Sequence, residues 1–461
     1  MPRTNRPNFS NESTTSVLAQ TEGEVHFLAQ ALDFYRAAQQ AGKDAPYGQF
    51  LNYADAAVQD KGRELLRSSL ENIVQTEIDE IEKKNETRLC PTCQTKREHL
   101  GYHTKNIRSS NGLIKPERRY EKCHRCGLPV HHVDAFLGLE DDYTVGFRML
   151  AVRAGSQGSF EKAEEDMKVW RGLEVSHETI RMLCHQEAAK VKQFVEESSE
   201  VPKDFIAAKG NVEFLMDAAK VNTLMGWRDI KIGIFVKRLL GEGVPISYWD
   251  KRTRRMLPEE SACVAFAAIE EKELFQKRVN DYRRLLRVGS TGDISTLGDG
   301  ADWIWNINSA VFGNVRECLD IYHALEHLSD TGKVLYKEGT EEYKQWLETT
   351  KWELLESGFE KIATRLDDLE VEFKEESSKK ESICSLRRYL DNHKTRLCYR
   401  ERLSEGRVIG SGQVEGACKS MIGKRLKQTG AKWDVDRLNE MAVLCAVHYS
   451  DLWQRYWMQA N

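Results

Sequence analysis

The chain reads as a multidomain α+β protein with an α/β core, and three observations lead there. Two Cys-x-x-Cys pairs lie in a stretch carrying Gly112, Pro116 and Pro129, between segments of helical periodicity. Apolar runs of strand length follow at Val212–Met216, Ile230–Val236 and Ile294–Leu297. A seam of apolar residues in steps of three and four then marks a long helical segment before the C-terminal part. At 461 residues, 40% hydrophobic and 30% charged, the chain is long enough for about two to four domains with a sizeable core.

Residues 1–20 are poor in apolar side chains and are expected to form a disordered tail. Residues 21–86 form a helical N-terminal region: Leu65, Leu66, Leu70, Ile73, Ile78 and Ile81 recur near helical spacing, with no proline after Pro46. Residues 87–138 change texture to a small β module. Residues 139–205 turn helical again, broken at Trp170–Val175. Residues 206–332 supply strands at Val212–Met216, Ile230–Val236, Val244–Trp249 and Ile294–Leu297, with an amphipathic helix or two over Pro258–Arg287. In residues 333–400, Trp352, Leu355, Phe359, Ile362, Leu366, Leu369 and Phe373 make a heptad seam, expected as an inserted helical hairpin. Residues 401–461 complete the core and add C-terminal helices.

Cys90-Pro91-Thr92-Cys93 and Cys123-His124-Arg125-Cys126 are 29 residues apart. Two such knuckles provide four thiolates for tetrahedral Zn²⁺, with an extended hairpin between them. Gly127 suits the tight second turn. Four cysteines close the coordination shell, so the expected site is structural and leaves no open position for catalysis. Eleven cysteines in a chain this long do not read as a disulfide scaffold.

Ser159–Trp170 and the stretch after Ser176 read as two helices joined through Gly172, with Ser176 as N-cap of the second. This is the pattern of a helix-turn-helix, which would bring His177, Glu178 and Arg181 near base edges in a DNA major groove. A purely structural helix pair fits the same pattern. The net charge of −4 argues mildly against a nucleic-acid partner. Its distribution does not, because Arg88–Asp134 holds ten basic residues against four acidic ones. Lys419, Lys424, Arg425, Lys427 and Lys432 likewise form a run with no acidic residue between them.

Three carboxylates stand in or beside apolar or glycine-rich segments: Asp217 in Phe214-Leu215-Met216-Asp217, Asp299 after Ile294–Gly298, and Glu415 in Ile409–Gly416. A lone carboxylate in such a place is costly unless it is paired or binds metal. Three that converge are oxygen ligands for hard Mg²⁺ or Mn²⁺, in the pattern of two-metal phosphodiester chemistry. Asp302 competes with Asp299; the glycines flanking Asp299 favour it, since ligands collect where strands end. Asp320 and His323, three apart, share a helical face. Lys419 and Lys427, at i+4 and i+12 from Glu415, are placed to contact phosphate. A surface Glu415–Lys419 ion pair explains the first spacing equally well.

These motifs together resemble bacterial insertion-sequence transposases of the DDE type, specifically the Kra family, relatives of the Mutator-like group. The resemblance covers about Cys90 to Trp457 and is carried by Gly298–Trp305, Leu319–Ala324, Ile409–Gly416, Lys424–Trp433 and the cysteine knuckles. It implies a ribonuclease-H-like α/β catalytic core with an all-helical insertion, preceded by a zinc-ribbon module and a helix-turn-helix-like region. It further implies that Asp217, Asp299 and Glu415 are the metal-binding triad and that Asp320 and His323 are the D-x-x-H element. Ala218 departs from the pattern, where glycine is frequent. The expected activity is binding of terminal inverted repeats, metal-dependent cleavage of double-stranded DNA and strand transfer by at least a homodimer. A non-catalytic DNA-binding derivative, or a nuclease that cuts without joining, is the alternative. No apolar run approaches the roughly 18 residues of a membrane span, and Met1–Ser16 lacks a signal-peptide core. The expected location is cytoplasmic and nucleoid-associated.

Overall fold

The computed structural model describes residues 21–84, 89–90, 92–130, 132–138, 141–251, 258–289 and 294–459. The tail expected at 1–20 lies outside the described residues. The protein is mixed α+β and divides into two compact units, residues 1–155 with 160–183 and residues 156–159 with 184–461. No described helix is long and apolar enough to cross a membrane.

In the first unit, helices α1 (Glu22–Lys43) and α2 (Phe50–Lys84) pack as a hairpin. A capping box starts α1: the Thr21 hydroxyl accepts from the Glu24 N–H, and the Glu24 carboxylate accepts from the Thr21 N–H. Strands β1 (Arg97–Thr104), β4 (Glu117–Cys123) and β5 (Pro129–Val130) form an antiparallel sheet, and β2 (Ile107–Ser109) pairs with β3 (Gly112–Ile114). Helices α3 (His132–Phe136), α4 (Val145–Gln157), α5 (Phe160–Arg171) and α6 (His177–Glu197) follow in the chain. Ser176 caps α6 as expected, its hydroxyl accepting from the Thr179 N–H at 3.3 Å. The helix pair expected on either side of Gly172 is therefore present.

The second unit continues through α7 (Glu200–Ala207) into a five-stranded sheet. Strands β6 (Asn211–Thr223), β7 (Gly226–Leu239) and β8 (Glu259–Ala268) form an antiparallel meander. Strands β9 (Ile294–Gly298) and β10 (Arg316–Leu319) add on the other side of β6 in parallel, giving the order β10-β9-β6-β7-β8. The β9 strand is buried at every position, as a parallel strand covered on both faces must be. Helices α8 (Lys272–Leu285) and α9 (Asp302–Phe312) pack together, and Phe312 of α9 meets Phe214 and Phe235 of the sheet at ring distances of 5.2 and 6.1 Å. Fully burying each such side chain stabilises the fold by about 1.5–3 kcal/mol.

The chain then enters α10 (Ile321–Leu335) and the helices α11 (Glu341–Ser357), α12 (Phe359–Glu372) and α13 (Ser377–Asn392). It returns through α14 (Tyr399–Ser404), α15 (Gly412–Ala417), a π-helical turn Cys418–Gly423, α16 (Lys424–Leu426), α17 (Val435–Tyr449) and α18 (Trp453–Gln459). Helix α17 packs against β8.

Three expectations are corrected. Val244–Trp249 is not a strand: Ile246–Lys251 is a 3₁₀ turn, because Pro245 has no N–H for a ladder and fixes φ. The segment after Pro258 is not helical throughout. Glu259–Ala268 is strand β8 and only Lys272–Leu285 is helix. The alanine-rich run has helical propensity, but packing decides: Phe266 covers Gly233, where an added Cβ would lie 2.4 Å from its ring. The inserted helical hairpin is instead three helices. Gly358, at φ +60°, ends α11 and interrupts the heptad seam, although Leu355, Ile362, Leu366 and Leu369 are all buried as the spacing requires.

Buried charge ties the ends of this unit together. Glu213 on β6 is 2% exposed and accepts from Arg238 Nε at 2.7 Å and Arg402 Nη2 at 3.0 Å. One carboxylate thus joins the opening strand, its neighbour β7 and helix α14, which follows the insertion.

Candidate metal centres

Strand register brings the central acidic residues together. In the β6–β9 ladder Leu215 pairs with Leu297, and in the β9–β10 ladder Gly298 pairs with Leu319. Continuing both registers puts Asp217 beside Asp299 and Asp299 beside Asp320, with Asp217 in the middle of β6 and the other two just past the carboxyl ends of β9 and β10. In-register neighbours project to one face of a parallel sheet.

Asp320 is fully buried and caps α10: its carboxylate accepts from the Tyr322 N–H at 2.8 Å and from the Ser411 hydroxyl. That second bond, with the Ile321 N–H to Ile409 carbonyl bond at 3.0 Å, holds the Ile409–Ser411 segment over the strand ends. The next helix, α15, then projects Glu415 inward. Ligand atoms of Asp320, His323 and Glu415 all lie within 4.8 Å of one another. Asp217 and Asp299 are not members of that tight group. Asp217 is nevertheless within electrostatic reach of both Asp299 and His323.

Charge here is undercompensated. Burial, reinforced by the Asp299 carboxylate, pushes the Asp217 carboxyl above its ordinary value. The Cys418 thiol lies 3.3 Å from Asp217 Oδ2, and burial together with that carboxylate pushes the thiol up, so it remains a donor. Tyr389 of α13 completes the surroundings: its hydroxyl is buried without a hydrogen-bond partner among the described residues. It lies close over Gly300, where a Cβ would come within 2.8 Å of it, and burial plus Asp299 and Asp320 raise its pKa. Oxygen donors, surplus negative charge and an unpartnered hydroxyl suit a hard divalent cation with its water. Sequence reasoning missed Ser411, Cys418 and Tyr389. No local pattern marks them, because each matters through a contact made across the fold.

The basic residues divide. Lys419, Lys424 and Lys427 are exposed, and Lys419 Nζ is 3.8 Å from the Glu415 carboxylate, so the ion-pair spacing is realised. The Glu415 helix does not run on to Lys427 as a regular α-helix, because the π turn intervenes, yet Lys427 still acts electrostatically on Cys418. Arg425 is a correction: it is 3% exposed with its guanidinium 4.9 Å from the Trp433 ring centre, an orientation that does not offer it to phosphate. Arg181 is exposed and bonded to Glu178 through Nε at 3.0 Å.

In the first unit, Cys90, Cys93, Cys123 and Cys126 gather with their sulfurs within 4.8 Å. The pairs Cys90–Cys126, Cys93–Cys123 and Cys93–Cys126 are 3.5, 3.4 and 3.9 Å apart. A tetrahedron with Zn–S bonds of about 2.3 Å has sulfur–sulfur edges of about 3.8 Å, so the donor set fits Zn²⁺. The two knuckles are built alike. Gln94 N–H donates to the Cys90 carbonyl at 2.9 Å, and Gly127 N–H to the Cys123 carbonyl at 2.8 Å. Both residues are left-handed, Gln94 at φ +58° and Gly127 at +69°. The Thr95 hydroxyl and N–H lower the Cys93 thiol to about 6, toward the thiolate that a metal requires.

No protein-family model matches this chain, and no curated protein matches it.

Proposed function

We propose that the protein is a DDE-type transposase with a ribonuclease-H-like core, which binds the terminal inverted repeats of a mobile element, cleaves DNA there and transfers the freed strand. One observation carries the reading: Asp217, Asp299 and Asp320 stand in register on three adjacent strands, with His323 and Glu415 gathered against Asp320. That arrangement has one carboxylate within the opening strand, one at the end of a later strand and one on a helix against the sheet, as the resemblance requires.

Divalent Mg²⁺ or Mn²⁺ held by Asp217, Asp299 and Glu415 would supply activation of the attacking oxygen and stabilisation of the leaving one. Asp320 anchors Ser411 and so sets the position of Glu415. His323, on the first turn of α10, orients the neighbouring carboxylates or contacts the scissile phosphate. Lys419, Lys424 and Lys427 neutralise backbone phosphates beside the site. The zinc-ribbon module and the Ser159–Glu197 helices, with Arg181, contribute recognition of the ends. Processing two ends in one reaction calls for a homodimer or larger assembly.

The test uses labelled duplexes carrying the sequences that border the gene, Mg²⁺ and a target plasmid. Cleavage with joining supports the reading; cleavage alone makes the protein a nuclease, and binding alone a non-catalytic DNA-binding derivative. Asp299→Asn should abolish cutting and leave end binding nearly intact. Unchanged cutting by that variant would move the ligand role to Asp302.

A further inference from the structure

We infer that the tip of the β6–β7 hairpin is a stacking contact for unpaired bases, an inference that rests on the DNA-processing reading above. Leu224, Met225 and Trp227 are 62%, 74% and 64% exposed at this turn. Three large apolar side chains on one solvent-exposed turn gain nothing from folding and mark a binding surface.

The tip is rigid. The Thr223 hydroxyl donates to the Gly226 carbonyl at 2.6 Å and accepts from the Met225 N–H. The segment before α17 runs alongside it: Leu224 N–H donates to the Trp433 carbonyl at 2.8 Å, and Trp433 N–H to the Asn222 carbonyl at 3.1 Å. Trp227 is therefore presented on a braced hairpin, which lowers the ordering entropy of any contact it makes.

Charge selects the partner. The bracing segment is the one that leaves Glu415, and it carries exposed Lys424, Lys427 and Lys432 from the acidic centre to the tip. Arg228 flanks Trp227 and is also exposed. Asp217 lies on the same strand, six residues before Thr223, which is about 20 Å along β6. That distance corresponds to about six base pairs of duplex. A basic track ending in an indole matches the combination of phosphate contacts and base stacking used on single-stranded nucleic acid. An intact duplex hides its base faces, so the tip serves nucleotides that are unpaired near the cleavage point.

Fluorescence anisotropy of the full chain with a labelled single-stranded oligothymidine and with an intact duplex tests this. Trp227→Ala should bind the single strand about tenfold more weakly, about 1.4 kcal/mol. Its duplex affinity and its salt dependence should be unchanged, since no charge is lost, and Trp227→Phe should retain most of the affinity. Lys432→Ala should instead flatten the salt dependence. Single-strand affinity unchanged in Trp227→Ala overturns the inference and leaves the DNA reading standing. Loss of both probes by the wild-type chain overturns both. Concentration-dependent self-association that Trp227→Ala abolishes would make the tip a contact between copies and overturn the inference.

Discussion

Binding of a divalent cation at the acidic centre should be visible as stability before any DNA is added. Asp217 lies in a partly buried place beside Asp299, and both burial and that carboxylate disfavour its charged form. The sign follows from the direction of its shift. A folded-state pKa raised above the ordinary 3.8 gives stability that is complete below that value and lost as pH rises through the folded pKa. Above that folded pKa the metal-free protein carries this penalty, and a cation offsets it. At a Mg²⁺ concentration ten times Kd, linkage contributes about 1.4 kcal/mol. Unfolding the second unit, roughly 280 residues, carries an entropy of about 0.6 kcal/mol/K, so Tm should rise by about 2 °C. Asp217→Asn keeps an oxygen to accept from the Ala218 N–H, places an amide NH2 against the Cys418 sulfur, and removes the charge. It should raise the Tm of the metal-free protein and lose the Mg²⁺ increment. Differential scanning calorimetry with EDTA or Mg²⁺ measures both. A variant destabilised without metal that keeps the full Mg²⁺ increment would refute the reasoning.

Cys123→Ser should release zinc, measured by metal analysis, and weaken DNA binding; full binding with no zinc would remove the ribbon from recognition. Gln94→Gly, which relieves a left-handed non-glycine residue, should slow zinc loss to a chelator, against a strain of about 1 kcal/mol. Glu213→Ala should cost about 3–5 kcal/mol in chemical denaturation, because Arg238 and Arg402 lose their shared carboxylate. At the junction of α5 and α6, the Glu164 carboxylate raises His177 above 6.5, and the His177 N–H and ring hold Glu164 below 4.5. The His177 contribution is lost as pH rises through its folded pKa, and that of Glu164 as pH falls through its own. Both are fully present only between about 4.5 and 6.5. An NMR titration should show His177 returning to its ordinary range in Glu164→Gln.

Features encoded within a few residues were legible in the sequence. The cysteine knuckles are local turns, and their four sulfurs do meet. The Ser176 cap and the buried positions of the Leu355–Leu369 seam follow from side-chain type and spacing alone. Features decided by the rest of the fold were not. Glu259–Ala268 has the composition of a helix and becomes a strand because β7 offers an edge and Phe266 a glycine to cover. Arg425 belongs to a basic run, yet Trp433 draws it inward. The acidic residues were individually conspicuous, but only ladder register reveals that Asp217, Asp299 and Asp320 are neighbours. The meeting of Asp320, His323 and Glu415 likewise depends on how the Ile409–Ser411 segment is held over the sheet. Tyr389 carries no local signal, because its hydroxyl is delivered by an inserted helix.

The shared carboxylate of Glu213 has a consequence for synthesis. Its guanidinium partner on α14 arrives 189 residues later, and Glu415 lies further on still. At about 5–20 residues per second, the ribosome holds the opening strand for roughly 10–40 s before either can dock. Throughout that interval the nascent protein lacks both the clamp that closes its sheet and the last acidic ligand. The acidic centre is thereby incomplete until nearly the whole polypeptide has emerged.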